Sequence, residues 1–235
     1  MRKSPGSRSR GATAARITSP IKTVKSHFNM IELYTWSTPN GRKVSIMLEE
    51  CGLPYNVHKI NIGTNREQFA PEYLKINPNG KIPSIVDPDG PGGKPISMME
   101  SGAILIYLAD KTGKFFAQKN KYQILQWLMF QMGSVGPMFG QAHHFMRAKK
   151  DEIPYGSERY GNEAKRLYGV MDRQLQASEY LSGAEYTIAD IATYPWVARH
   201  EWHRVDLAGF PSVKRWYDAI GRRAAVVKGM SVPQT

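Results

Sequence analysis

The alternation of apolar and polar positions becomes regular at Met30. Residues 30–34 (MIELY) alternate with the period of a strand, and the turn-forming run Ser37-Thr38-Pro39-Asn40-Gly41 follows. Over residues 42–51, Val44, Met47 and Leu48 recur on one helical face, and Gly52 supplies a natural stop. Residues 55–61 alternate again, and 71–76 predict a short helix with Pro71 in its first turn. Two strands are expected over 82–87 and 94–99, divided by Pro88-Asp89-Gly90-Pro91-Gly92-Gly93, a run that suits only a turn. Ser101 then opens a strongly apolar helix to Lys111, closed by Gly113. The predicted order is strand, helix, strand, short helix, two strands, helix.

Beyond Gly113 the pattern changes. Residues 114–121 form a polar, basic connector, and 122–235 read as helices throughout. A β-rich unit over 30–113, a linker over 114–121 and an all-helical unit over 122–235 predict two unlike domains rather than one doubly wound sheet. In the helical part, Thr187 stands where a helix cap is needed and Asp190 follows three residues on, a variant of the capping box that reads as structural.

Charge alters this picture only at the N-terminus. The chain of 235 residues carries a net +12, but Arg2, Lys3, Arg8, Arg10, Arg16, Lys22 and Lys25 lie in residues 1–29, where there is no acid. That leaves a modest +5 for the remainder, too little to argue for nucleic acid or an acidic membrane as partner. Residues 1–29 are rich in Ser, Gly and small side chains and lack apolar periodicity, so they are expected to be a disordered basic tail. Their composition fits a mitochondrial transit peptide, and equally an over-extended start with Met30 as the true first residue; the second reading is the plainer. No apolar run approaches the length of a membrane span, and the single cysteine, Cys51, excludes an internal disulfide framework and a CxxC motif. A reducing, cytoplasmic setting is the simplest fit.

Four segments in this order and spacing resemble the glutathione transferase family: Ser37-Thr38-Pro39-Asn40-Gly41, Asn79-Gly80-Lys81-Ile82-Pro83, Glu100-Ser101-Gly102-Ala103-Ile104 and Thr187-Ile188-Ala189-Asp190. Thr38-Pro39-Asn40-Gly41, Ala70-Pro71-Glu72-Tyr73-Leu74 and Gly136-Pro137-Met138-Phe139-Gly140-Gln141 resemble, more narrowly, the bacterial nu class and its relatives among the yeast prion-type nitrogen regulators. The resemblance implies a thioredoxin-like N-terminal domain that holds glutathione, an all-helical C-terminal domain that walls the co-substrate pocket, and a homodimer. It also implies a glutathione-dependent disulfide reductase able to hold two glutathiones or one glutathione disulfide. Conjugation of electrophiles and a non-catalytic, glutathione-binding regulator are the alternatives.

Glutathione offers an ammonium and a carboxylate at its γ-glutamyl end, a thiol, and a glycyl carboxylate. Glu100 offers a carboxylate to the ammonium, and Ser101 a hydroxyl and an N–H at a helix start that favours an anion, with Ser101 expected to cap that helix as well. Alone, Pro83 reads as an ordinary trans proline at a strand start; the resemblance suggests a cis Ile82–Pro83 bond that would present Ile82 to the peptide backbone of the ligand. No cysteine occupies the first loop, so the nucleophile must be the ligand's own sulfur. Lowering a thiol pKa from about 8.5 by about two units requires about 2.7 kcal/mol, which one charge-assisted hydrogen bond and a helix N-terminus can supply. Thr38 and Asn40 are the leading donors, with Ser37 the runner-up; alone they would read as turn formers. The resemblance further assigns Gln68 to the glycyl part, Lys81 to the binding set with Ile82 and Pro83, and Arg159 to a ligand carboxylate. No metal is expected, since His143 and His144 are adjacent and point about 100° apart on a helix. Cys51 reads as a buried small hydrophobe, Gly133, Gly136 and Gly140 as a close approach or a loosely packed kink, and Lys149-Lys150 and Arg222-Arg223 as solvated faces.

Overall fold

The computed structural model describes Met1 and residues 30–149 and 152–234; the expected tail over 2–29 and Lys150 lie outside the described residues. The first strand, β1 (Ile31–Thr35), buries alternate residues Ile31, Leu33 and Thr35. Helix α1 (Pro39–Cys51) begins three residues before the expected 42, because Thr38 accepts the Gly41 N–H (3.2 Å) at the cap and Pro39 takes the first helical position. Gly52, at φ 71°, ends it. β2 (Tyr55–Lys59), α2 (Pro71–Ile76), β3 (Ser84–Asp87), β4 (Ile96–Met99) and α3 (Ser101–Thr112) complete this half. The strands are shorter than their alternation suggested. Pairing in β3 starts after Pro83, and in β4 after Pro95, where the proline nitrogen offers no donor.

The sheet has the order β2-β1-β3-β4, with β1 and β2 parallel and the remaining pairs antiparallel. Leu33 stands opposite Val57 and Ile85, and Ile85 opposite Met98. α1 packs against α3, and their apolar faces (Val44, Ile46 and Leu48; Ile104, Leu105 and Leu108) join Leu33 and Ile85 in a wholly buried core. This is the thioredoxin-like arrangement.

The rest is helical: α4 (Lys121–Phe130), α5 (Gly136–His143), α6 (Pro154–Ala177), α7 (Ile188–Val197), α8 (Pro211–Gly221) and α9 (Ala224–Met230). Two wide π turns, Gln131–Val135 and His144–Ala148, carry α4 into α5 and extend α5 without breaking the right-handed path. Asp190 organises the packing. One of its oxygens takes the Thr187 N–H and hydroxyl (3.0 and 3.1 Å), the other the Leu181 N–H and the Trp216 indole N–H (both 2.9 Å).

α1 is the element shared by the two halves. Its other flank holds α7 and α9, with the Ser45 hydroxyl donating to the Gly229 carbonyl (2.7 Å) and Glu50 gripped by both arms of Arg223 (2.6 and 2.9 Å). Arg223 also lies 4.1 Å from the Tyr186 ring centre, so it is an interhelical tie and not the solvated charge that its sequence neighbourhood suggested.

Candidate functional site

The N-terminal end of α1, the loop before β3 and the start of α3 face the helical half across a cleft. Two adjoining cavities, of roughly 600 and 730 Å³, share Asn40 and Trp196 in their walls. The first is lined by Ser37, Thr38, Gln68, Lys81, Ile82 and Arg199 among others, the second by Lys43, Glu100, Gln131, Met132, Gly136 and His144 among others.

The Thr38 side-chain oxygen is committed as acceptor to the Gly41 N–H, which leaves its proton to donate. Asn40, in the first turn of α1, accepts the Trp196 indole N–H at Oδ1 (3.0 Å), an arrangement that fixes the amide and leaves its NH2 free for the cleft. No acidic residue in that turn offsets the helix dipole. A Cβ at Gly136 would come within 2.9 Å of Gln131 Nε2, whereas one at Gly140 would rest on the Trp196 indole at 3.5 Å, an ordinary contact. Close approach is therefore the reading that holds for Gly136, whereas Gly133 has nothing within 4 Å.

The Ile82–Pro83 peptide is cis. The loop before it is fixed by the Lys81 carbonyl, which accepts from the Tyr73 hydroxyl (2.5 Å) and the Asn77 amide (2.6 Å). Gly80 is required there, since φ is +61° and a side chain would strike the Phe69 ring at 3.1 Å. Gln68, on the short 3-10 turn Glu67–Phe69, holds its Oε1 buried and unpartnered beside this loop.

At the start of α3 the expected cap is corrected. Glu100 occupies the cap position at φ 67°, a conformation uncommon outside glycine, and makes no side-chain cap bond; Ser101 is the first helical residue. The buried Ser101 hydroxyl accepts instead from Lys43 Nζ (3.3 Å). Lys43 itself is 1% exposed and also donates to Gln131 Oε1 (2.7 Å) and Met132 Sδ (3.4 Å). Burial pushes its ammonium down to about 7, against the opposing pull of Glu100.

Thus Thr38, Asn40, Gln68, Lys81, Ile82 and Glu100 line one cleft, with Ser101 held behind Glu100. Arg159 is not among them: it is exposed on α6, 6.0 Å from the Tyr160 ring centre, and lines neither cavity. Cys51 lies at the opposite end of α1, where a rise of about 1.5 Å per residue sets it roughly 20 Å from Thr38. It is buried and in contact with Thr112 Oγ1 (3.4 Å), and burial raises its thiol pKa. Lys43, Trp196, Gln131 and Arg199 were not anticipated. The His143-His144 pair divides, His143 lining the smaller cavity and His144 the larger.

Residues 38–111 match the family model described as "Glutathione S-transferase, N-terminal domain", and residues 137–224 that described as "Glutathione S-transferase, C-terminal domain". The disulfide-bond oxidoreductase YfcG of Escherichia coli (strain K12) is 49% identical over 199 residues, 83% of this chain and 92% of that protein. The disulfide-bond oxidoreductase YghU of the same strain is 35% identical, with 97% of this chain and 85% of that protein covered. Among solved structures, a glutathione transferase family member from Pseudomonas fluorescens pf-5 with two glutathione bound superposes with a TM-score of 0.83 at 48% identity, covering 88% of this chain and 95% of that one. A glutathione transferase from Pseudomonas putida with one glutathione disulfide bound per subunit gives 0.83 at 46% identity, covering 88% and 94%.

Proposed function

The chain belongs to the glutathione S-transferase family, and on that premise we propose that it is a glutathione-dependent disulfide reductase whose nucleophile is the thiolate of the bound tripeptide. The observation that carries this reading is the pairing of a cleft-facing Thr38 hydroxyl and Asn40 amide with a lone cysteine buried at the far end of the same helix. Glu100 receives the γ-glutamyl ammonium and Ser101 the adjoining carboxylate, while Ile82, held by Pro83, pairs with the peptide backbone and Gln68 and Lys81 face the glycyl end. The free acceptor at Gln68 Oε1 suits the amide N–H of the glycyl residue, not its carboxylate.

The chemistry balances as two displacements. A glutathione thiolate attacks one sulfur of the substrate disulfide, forming a mixed disulfide and expelling the first thiolate. A second glutathione thiolate then attacks the mixed disulfide at the glutathione sulfur, releasing glutathione disulfide and the other substrate thiolate. The neighbours solved with two glutathiones or with glutathione disulfide support a site roomy enough for both tripeptides. Nu-class affiliation and a homodimer belong to the same proposal; exposed Met99 on edge strand β4 and exposed Tyr122 and Met129 on α4 are apolar surface available to a second copy. A reducing, cytoplasmic setting belongs to the same proposal, with a mitochondrial one if residues 1–29 are a transit peptide. Arg159 is proposed for a ligand carboxylate only if the ligand extends beyond the cavities described.

The test is turnover of glutathione with 2-hydroxyethyl disulfide, with an aryl halide run in parallel. Thr38→Ala with Asn40→Ala should lower disulfide kcat/KM about 100-fold, the equivalent of about 2.7 kcal/mol, while Cys51→Ala remains active. Undiminished turnover in the double variant, or its loss in Cys51→Ala, would overturn the mechanism. Faster conjugation than reduction would make the chain a transferase in the narrow sense, and glutathione binding with neither reaction would make it a regulator.

A further inference from the structure

On the helical wall of the smaller cavity, cationic side chains gather around Trp202. The guanidinium carbons of Arg147 and Arg199 lie 3.7 and 3.9 Å from its ring centre, and the His143 ring 4.4 Å away. Arg42, across the cleft on α1, is near enough to Arg199 to act on its charge, as is Arg147; burial and these two neighbours push the Arg199 guanidinium down to about 10, still charged at neutral pH. The chain pairs other arginines fully, Arg166 with Glu163 and Arg223 with Glu50, each through two hydrogen bonds. Arg42, Arg147 and Arg199 have no ion pair with any carboxylate among the described residues.

A second, independent observation concerns unused polar atoms. The donors Arg199 Nε and Arg42 Nε are buried and unpartnered, and so is Nε2 of His203, a donor or an acceptor according to the ring's tautomer, on a residue that lines the same cavity as Arg199. Buried polar atoms without partners are rare in folded proteins, and two of these belong to side chains that line one cavity, Arg199 and His203. Like charges gathered without an anion repel, and a planar guanidinium resting on an indole is oriented in advance for a planar, two-oxygen acceptor.

We propose that Arg199, braced with Arg147 on Trp202 and backed by Arg42, binds a carboxylate on the substrate disulfide, so that the enzyme selects small disulfides bearing an anionic group. The inference rests on the reductase reading and adds the charge class of the substrate. Arg199 shares its cavity with Thr38 and Asn40, so a disulfide whose carboxylate it holds lies within reach of the sulfur loop; the glycyl carboxylate of the tripeptide, at the end that Gln68 and Lys81 face on the same cavity, is the competing anion that prior loading with S-methylglutathione takes out of the measurement.

Three disulfides of similar size and different charge separate the possibilities: 3,3′-dithiodipropionate, 2-hydroxyethyl disulfide and cystamine, each with saturating glutathione. The full chain should favour the dicarboxylate over the neutral disulfide by about tenfold in kcat/KM and disfavour cystamine. Arg199→Gln should bring the anionic-to-neutral ratio to near one, and Arg199→Lys should keep part of it. Binding of 3,3′-dithiodipropionate to protein loaded with the unreactive S-methylglutathione, followed by tryptophan fluorescence, should weaken about tenfold in Arg199→Gln, with Arg147→Gln as a second variant should the first fail to fold. Reduction without preference for the anion, or a ratio and an affinity unmoved by these substitutions, overturns the site and leaves the reductase reading standing. Arg199-dependent binding of the dicarboxylate with no turnover of any disulfide upholds the site and overturns the reductase reading instead.

Discussion

Lys43 carries an ionisable amine where almost no solvent reaches it, and the consequence is a pH dependence of definite sign. Its folded-state pKa, near 7, lies below the value of about 10.4 expected in an unfolded chain. Between those values the unfolded state binds more protons, so stability rises as pH increases from about 7 to about 10; below 7 both states are protonated and the burial penalty is fully present. Of the groups facing the amine, only Glu100 carries charge; Ser101, Gln131 and Met132 do not titrate in this range. Thermal midpoints of the wild type should therefore climb between pH 7 and 9.5, and the climb should flatten in Lys43→Met. The comparison removes the contrary effect of Cys51, whose raised pKa makes stability fall as pH passes the thiol range. Equal slopes in the two proteins would show that the amine is not the source.

At the scale of elements, α7 depends on Asp190 for four hydrogen bonds, two from backbone N–H groups. Asp190→Ala leaves those buried donors unmatched and should cost at least about 3 kcal/mol, read as a lower urea midpoint. Gly229→Ala tests the docking of α9. Its Cβ would sit 2.5 Å from the Ile46 Cα, a backbone atom of α1 that cannot swing aside, and a loss of about 1–3 kcal/mol is expected. The elements themselves were largely legible in the chain, since the apolar periods of α1 and α3 and the glycines at 52 and 113 mark both bodies and ends. Boundaries were less so where one residue serves two purposes: Thr38-Pro39-Asn40-Gly41 reads as a turn because its capping geometry and its turn chemistry use the same residue types. In the site, Thr38, Asn40, Gln68, Lys81, Ile82 and Glu100 were expected and meet in the cleft. Lys43 was not, because its partners Ser101 and Gln131 stand 58 and 88 residues away and no local pattern marks such a pairing. Arg199 and Trp196 were missed for the same reason, and the solvated reading of Arg223 failed because Glu50 is 173 residues distant.

At the scale of the molecule, two ion pairs among the described residues fasten the helical half to α1, and they should be unequal. Glu50 is 6% exposed and held by both arms of Arg223, whereas Lys228 on Glu49 is 70% exposed. Arg223→Ala should destabilise by about 1.5–3 kcal/mol and Lys228→Ala by no more than about 0.5, both measurable by denaturant titration. The order in which the chain is made gives the seam a further meaning. Ser45 meets Gly229 across 184 residues, so at about 5–20 residues per second a ribosome needs roughly 10–40 s to deliver α9 after α1 has emerged. Until α9 arrives the sheet-bearing half carries part of a helical flank naked on the very helix that presents Thr38 and Asn40, and a nascent chain must either be sheltered there or wait, its cleft loop translated early and the last of its support arriving late.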